Sequence, residues 1–158
     1  MAYIMDPQHS LLLFRLSGYA YGLPIHCVEK VIHAVEIVPL PEPAAPVVGV
    51  FSMAGKTIPV LNMRKLFGFP DREVELYDPY LILSWKNHVL AMIVDAVSGV
   101  EEIGEPDLIS SKDIMAPSDF LLATALTSEG LVLIPDCEKI LSACNTLKGQ
   151  EATWKKAA

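Results

Sequence analysis

Short apolar runs separated by turn residues dominate the chain, and they occur in pairs. The pairs are residues 11–16 with 21–25, 47–53 with 57–61, 80–85 with 89–94, and 120–126 with 131–135. Only a few residues join the two members of each pair, and so short a connection forces antiparallel pairing. The pattern therefore predicts a mostly β fold made of hairpins, arranged as barrels or as a sandwich.

Two segments carry a helical pattern instead. Val28, Val31, Ile32 and Val35 follow the i, i+3, i+4, i+7 spacing of one helix face, which predicts a short helix there. A second short helix is predicted at residues 137–143, after the last apolar run.

An internal repeat links the two ends of the chain. Residues 57–61 run into Asn62 and a short helical pattern, and residues 131–135 run into Asp136 and another one. Asn and Asp side chains accept hydrogen bonds from the free amides of a first helical turn, so both residues are predicted helix caps. The repeat predicts two similar β units, each closed by a helix and packed on the other.

The chain length fits one domain. We expect an N-terminal extension at residues 1–10, one domain at 11–143 with β units at about 11–70 and 78–136, and a polar tail at 144–158.

Composition narrows the classes of function. The net charge is −7 and the sequence has no basic cluster, which argues against nucleic-acid binding. Hydrophobic residues make up 52% of the chain, but every apolar run is far shorter than the ~20 residues that span a bilayer. The first residues show no basic stretch before an apolar one, as a secretory signal would. We therefore expect a cytoplasmic protein without direct membrane insertion.

The candidate catalytic and metal-binding residues are sparse. Three cysteines, Cys27, Cys137 and Cys144, form no Cys-x-x-Cys pair, which favours reduced thiols over a disulfide scaffold. The four histidines show no metal-ligand spacing, so we expect no metal site. Cys27 beside His26 lies in an apolar stripe of an acidic protein, where a thiolate nucleophile is disfavoured. No phosphate-binding or esterase motif is present, so the sequence predicts neither an enzyme nor a cofactor.

One stretch has a specific family resemblance. "GVFSMAGKTIPVLNMRKLFG", residues 49–68, resembles the central motif of CheW-like domains, the coupling modules of bacterial chemosensory arrays. The positions that match the motif as they stand are Gly49, Val50, Gly55, Ile58, Pro59, Val60 and Arg64.

The resemblance continues along residues 11–142. "LLLFRLSGYAYGLPIHCVEKVI" is similar to the opening hairpin and first helix of the family, and "VLAMIVDAVSGVEEI" to its Val-Asp-x-Val segment. "EGLVLIPDCEKILS" is similar to the closing strand and helix.

The resemblance implies a fold, a role and partners. The fold would be two intertwined, SH3-like, five-stranded β barrels with short helices. The role would be that of a non-enzymatic adaptor between a CheA-type histidine kinase and the cytoplasmic tip of methyl-accepting chemoreceptors, with other CheW-like domains as further candidate partners. The protein would then be recruited from the cytoplasm to membrane-bound receptor arrays.

The resemblance also implies two binding surfaces. The kinase side would comprise Gly49, Val50, Phe51, Met53, Gly55 and Asn62. The receptor groove would comprise Val28, Lys30, Val31, Ala54, Val94 and Val97. The family often has an acidic residue at position 30 and an arginine at position 54, which form a charge pair. Lys30 and Ala54 replace both members here, which leaves the particular receptor and kinase open.

Two alternatives remain open at this point. One is a β-barrel protein that binds a small ligand, and the other is a CheW-like module of a signalling complex unrelated to motility.

Overall fold

The structure is a computed structural model that describes residues 10–41, 47–104, 107–110 and 120–145. Its strands are β1 (Ser10–Leu16), β2 (Tyr19–Pro24), β3 (Val28–His33), β4 (Val38–Pro39), β5 (Val47–Met53), β6 (Lys56–Asn62), β7 (Pro79–Trp85), β8 (His88–Ile93), β9 (Ala96–Glu102), β10 (Leu108–Ser110), β11 (Leu121–Thr127) and β12 (Gly130–Pro135). The helices are α1 (Met63–Phe67) and α2 (Cys137–Asn145), and a 3-10 turn (Ile25–Cys27) joins β2 to β3.

The four predicted hairpins are confirmed as β1–β2, β5–β6, β7–β8 and β11–β12, all antiparallel. The two central residues of the β5–β6 turn, Ala54 and Gly55, have φ angles of 50° and 76°. Positive φ at both positions defines the turn whose twist matches the flanking strands. The turn residues and the alternation of apolar residues therefore both favour the β5–β6 hairpin.

The strands form two sheets rather than closed barrels. Sheet 1 has the order β10-β11-β12-β2-β1-β9, and sheet 2 has the order β3-β7-β8-β6-β5-β4. Two neighbouring pairs, β12 with β2 and β6 with β8, are parallel. The mostly β, SH3-like architecture is confirmed. The count of five strands per unit is wrong, because each sheet has six strands and its end strands are not paired with each other among the described residues.

The internal repeat is visible in the strand order. If β1–β6 are matched in order with β7–β12, the order of sheet 1 becomes that of sheet 2 read backwards. Sheet 1 consists of β9–β12 from the second half and the β1–β2 hairpin from the first half. Sheet 2 consists of β3–β6 from the first half and the β7–β8 hairpin from the second half. The predicted units at about 11–70 and 78–136 thus both contribute strands to both sheets, so the two are intertwined.

Three apolar clusters hold the sheets. The largest lies between them and contains Phe14 of β1, Leu81 of β7 and Ile140 of α2, all with 0% of their surface exposed. A second cluster is built around Val132 of sheet 1, and a third around Tyr80 of sheet 2. Each sheet therefore curls around its own apolar interior, and both also pack on a shared core.

The helix predicted through Val28, Val31, Ile32 and Val35 is wrong. Val28, Val31 and Ile32 lie in strand β3, and Val35 follows its end. β3 pairs with β7, with Val28 opposite Leu83 and His33 opposite Pro79. β-branched side chains favour extended backbone, and the edge of β7 supplies hydrogen-bond partners that a local pattern cannot reveal. Only the single 3-10 turn that ends at Cys27 is helical in this region.

The predicted ends of the chain are only partly described. Ser10 already belongs to β1, and α2 continues past residue 143 to Asn145. Residues 1–9 of the predicted extension and 146–158 of the predicted tail lie outside the described residues, as does the side chain of Cys144.

Gly49 lets β4 approach β5 closely. A Cβ atom at this position would lie 2.4 Å from Cγ2 of Ile37 and 2.5 Å from the carbonyl oxygen of Val38. We expect Gly49→Ala to lower the free energy of unfolding by about 2 kcal/mol, since a backbone atom must move. Urea denaturation measures this loss, with exposed Ser52→Ala on the same strand as the control. Equal stability of the two variants would show that β4 does not pack on β5.

Candidate protein-interaction site

Asp95, in the connection between β8 and β9, lies at the centre of a charged junction between the sheets. Its Oδ2 accepts hydrogen bonds from Nη2 of Arg64 at 2.6 Å and from the backbone N–H of Ser17 at 2.8 Å. Its Oδ1 accepts one from Nη2 of Arg72 at 2.9 Å. Because Ser17 lies in the β1–β2 turn of sheet 1 and Arg64 in α1 after sheet 2, this carboxylate links the two sheets.

The arginines extend the junction to the segment between α1 and β7. Arg64 Nη1 donates to the Ser17 hydroxyl at 2.9 Å, and Arg72 Nη2 also donates to Oδ1 of buried Asp78 at 3.1 Å. Partial burial by itself raises the pKa of Asp95, but the hydrogen bonds from Arg72, Arg64 and the Ser17 amide outweigh it. The pKa of Asp95 is therefore held below its usual value.

Both predicted helix caps are confirmed. Oδ1 of Asn62 accepts from the N–H groups of Arg64 at 3.0 Å and Lys65 at 3.4 Å. Oδ1 of Asp136 accepts from the N–H of Lys139 at 3.2 Å. The amide nitrogen of Asn62 also donates to Oδ1 of Asp71 at 3.0 Å. The Asn62 side chain thus organises α1 and the segment after it.

The residues of the implied kinase side fall into two groups. Gly49 and Phe51 are buried, and Phe51 packs edge-on against Tyr80 with ring centroids 6.2 Å apart. Val50 and Met53 are half-buried, and Gly55 is exposed in the β5–β6 turn. A partner that docks on this hairpin would therefore meet Val50, Met53 and Gly55, while Gly49 and Phe51 support them from inside. The sixth residue, Asn62, is half-buried and caps α1.

The residues of the implied receptor groove are divided in the same way. Lys30 and Val31 are exposed on β3, and Ala54 is exposed in the β5–β6 turn. Val28 and Val97 are half-buried and pack on the core between the sheets. Val94 is fully buried in that core, so its side chain cannot contact a partner directly.

The structure reveals a further surface on sheet 1. Leu126 and Leu131 are cross-strand partners. Leu133 pairs with Tyr21 in the parallel register of β12 with β2, so Leu131 and Tyr19, each two residues earlier, lie on the same face of the sheet. The side chains of Leu126, Leu131 and Tyr19 are 56%, 58% and 59% exposed, respectively. We call Tyr19, Leu126 and Leu131 the outer apolar row. Ile109 of β10, which is 45% exposed, lies beside it on the same face.

The fold itself does not require the outer apolar row. Matching the two halves of the chain places Ser52, Thr57 and His88 of sheet 2 at the positions of Leu126, Leu131 and Tyr19. The same face is thus polar in one sheet and apolar in the other. Exposed apolar side chains grouped on one face of a sheet favour a surface for a protein partner. Sequence reasoning missed this row. Adjacent residues of a strand point to opposite faces, so the leucines at both Leu121 and Leu122 were a signal that both faces of β11 are apolar.

An apolar cavity of about 260 Å³ lies between α1 and the β11–β12 hairpin. Tyr21, Phe67, Phe69 and Phe120 supply its aromatic walls, and none of the described residues that line it is charged. Burial, followed by the proximity of Tyr19, raises the pKa of Tyr21 to about 12, so the phenol stays neutral. Ligand sites usually add several convergent polar groups to such walls, so the cavity gives the ligand-binding alternative little support.

Neither a metal centre nor a membrane-spanning helix is found in the described part of the chain. No group of three or more His, Cys, Asp or Glu side chains there is placed to hold a metal ion. Neither α1 nor α2 has the length and apolarity that a bilayer-spanning helix needs.

Two intertwined sheets that leave apolar side chains exposed on their surfaces are typical of a protein-interaction module. The profile of the CheW-like domain matches residues 10–145, and the chain belongs to this family.

Proteins similar to this chain over most of its length carry names of the same family. The Chemotaxis protein CheW of Treponema pallidum (strain Nichols) is 24% identical over 89% of this chain and 86% of its own length. The Chemotaxis protein CheW of Thermotoga maritima is 26% identical over 90% of this chain and 93% of its own. The crystal structure of the scaffolding protein TtCheW from Thermoanaerobacter tengcongensis superposes with a TM-score of 0.75 at 27% identity, covering 83% of this chain and 90% of that one.

Proposed function

We propose that this protein is a non-enzymatic adaptor that couples chemoreceptors to a CheA-type histidine kinase. Family membership supports the role, and the outer apolar row is the observation on this chain that carries it. An adaptor needs surfaces whose burial by a partner is favourable, and no reactive group is required. The protein would act in the cytoplasm and join membrane-bound receptor arrays through these contacts.

The two partners are assigned to different surfaces. The outer apolar row, together with Val50, Met53 and Gly55 of the β5–β6 hairpin, forms the proposed kinase side. Exposed Lys30 and Val31 on β3 form the core of the proposed receptor side. The outer apolar row lies on sheet 1, and β3 and the β5–β6 hairpin lie towards opposite ends of sheet 2. The two proposed surfaces are therefore separate, and both partners can be bound at once.

Binding of purified components tests the proposal. The partners are the regulatory domain of the CheA-type kinase and a cytoplasmic tip fragment of a chemoreceptor, both encoded in the same genome. Isothermal titration calorimetry should show micromolar or tighter binding to each fragment, and size-exclusion chromatography should show a ternary complex. Absence of binding to the kinase domain by the correctly folded chain would refute the adaptor role. Mutually exclusive binding would refute the assignment to separate surfaces.

A further inference from the structure

Two free thiols meet in the core between the sheets. Cys27 ends the 3-10 turn that carries the chain from sheet 1 to sheet 2, and Cys137 is the first residue of α2. Both are free and buried, with 1% and 2% of their surfaces exposed. They belong to the same apolar cluster, although the chain positions that carry them are far apart.

Strand β7 brings the two elements together. The 3-10 turn and α2 both contact this strand. Val28, directly after Cys27, pairs with Leu83 near the end of β7. Glu138, directly after Cys137, forms an ion pair of 4.0 Å with Lys86 in the turn that follows β7. Both cysteines therefore lie near the same end of one strand.

The thiols also interact with each other directly. A hydrogen bond with Cys137 lowers the pKa of Cys27, and this effect exceeds the opposing one of burial. The same hydrogen bond, followed by burial, raises the pKa of Cys137 well above its usual value. The reactive form of a cysteine is the thiolate, so the pair contains one sulfur suited to attack and one suited to follow.

We propose that Cys27 and Cys137 form a redox modification site, at which a hydroperoxide converts the two thiols into one intramolecular disulfide that a thiol reductant reverses. This inference is independent of the adaptor role, since it concerns the core and no partner surface.

The reaction balances with hydrogen peroxide as the oxidant. The sulfur of Cys27 attacks one peroxide oxygen, the O–O bond breaks, and the departing hydroxide takes up the thiol proton to give water and a sulfenic acid. The sulfur of Cys137 then attacks that of Cys27, the S–O bond breaks, and the second hydroxide leaves as water with the proton of Cys137. Two thiols are oxidised by two electrons, and peroxide is reduced to two waters.

Burial of the two thiols slows their oxidation but does not change the product. Peroxide reaches the pair when α2, a helix of nine residues at the end of the domain, opens locally. The product joins two residues that are far apart in the chain, and a cross-link that closes a long loop restricts the unfolded chain. We therefore expect the oxidised protein to melt at a higher temperature than the reduced protein.

The test uses the full chain, first reduced and then treated with hydrogen peroxide in buffer. Two of the three thiols should disappear, the intact mass should fall by two hydrogen atoms, and the protein should stay monomeric on a non-reducing gel. Peptide mapping without reduction should find the Cys27 peptide linked to the Cys137 peptide, and dithiothreitol should restore all the thiols. A control in urea should instead give mixed pairings that include Cys144.

Variants and alternative outcomes keep the proposal falsifiable. Cys144→Ser should form the same disulfide, whereas Cys27→Ser should form no intramolecular bond that involves Cys137. The mapping of the native chain decides the question even where a variant folds poorly. Three intact thiols at a peroxide dose that fully oxidises the chain in urea would overturn the proposal. A native disulfide to Cys144, or sulfinic acid on Cys27 beside a free Cys137, would overturn it equally.

Discussion

Asp95→Ala is expected to lower the free energy of unfolding by about 2–3 kcal/mol and the melting temperature by about 5–10 °C. The substitution removes one carboxylate that accepts hydrogen bonds from Arg64, Arg72 and the Ser17 amide. Two arginines would then face each other without their shared anion. The side chain of Asp95 is 25% exposed, so water recovers part of the lost solvation and the effect stays below that of a fully buried pair.

The loss should depend on pH. The junction depresses the pKa of Asp95, so the folded state favours the carboxylate more than the unfolded chain does. Its stabilisation is complete above the unfolded pKa of about 4 and is lost as pH falls through the lower folded value. Urea unfolding at neutral pH should therefore separate the wild type from Asp95→Ala by the full amount. The difference should shrink as the pH falls below about 4 and should be smallest below the folded pKa.

Glu102→Ala is the matched control for this prediction. Glu102 is an exposed carboxylate on β9, the strand that follows Asp95, and its removal should change stability by no more than about 0.5 kcal/mol. If Asp95→Ala costs no more than Glu102→Ala at neutral pH, the charged junction does not hold the sheets together. A difference that grows as the solution is acidified would contradict the depressed pKa.

The sequence was sufficient where local signals and tertiary structure agree. The four hairpins were predictable because apolar alternation ends at turn residues, and Asn62 and Asp136 were predictable as caps for the same local reason. β3 was assigned to a helix because its valines fit a helix face, and only its pairing with β7 makes it a strand. β4 and β10 have two and three residues, which is too short for a periodic signal. β9 carries a bulge opposite Leu13 and Phe14 that breaks its alternation.

The candidate site was predictable in outline through the family resemblance, but its geometry was not. The Val-Asp-x-Val segment contains Asp95, but its partners come from three distant parts of the chain. The burial of Phe51 and Val94 depends on the core on which they pack. The outer apolar row arises from the parallel pairing of β12 with β2. Such long-range pairing cannot be predicted from a short window of sequence.

Leu131→Glu is expected to weaken binding of the kinase regulatory domain by about tenfold to a hundredfold. Leu131 is the middle side chain of the outer apolar row, between Leu126 and Tyr19. A glutamate there would have to lose its water between the apolar side chains of Leu126 and Tyr19, neither of which supplies a cation, and this is costly. In the free protein the side chain is 58% exposed, so the variant should fold normally. Isothermal titration calorimetry with the kinase domain measures the loss, and receptor binding should be unchanged.

Leu76→Glu makes the same chemical change outside both proposed surfaces. Leu76 is 72% exposed and lies between α1 and β7, so its replacement should leave kinase affinity at the wild-type value. Circular dichroism and urea unfolding establish that both variants are folded before affinities are compared. Wild-type affinity in folded Leu131→Glu would remove the outer apolar row from the kinase side and leave the β5–β6 hairpin as the only proposed contact. Equal weakening by the two substitutions would point to net charge as the cause, because the two positions lie on different surfaces and only a long-range effect could act from both.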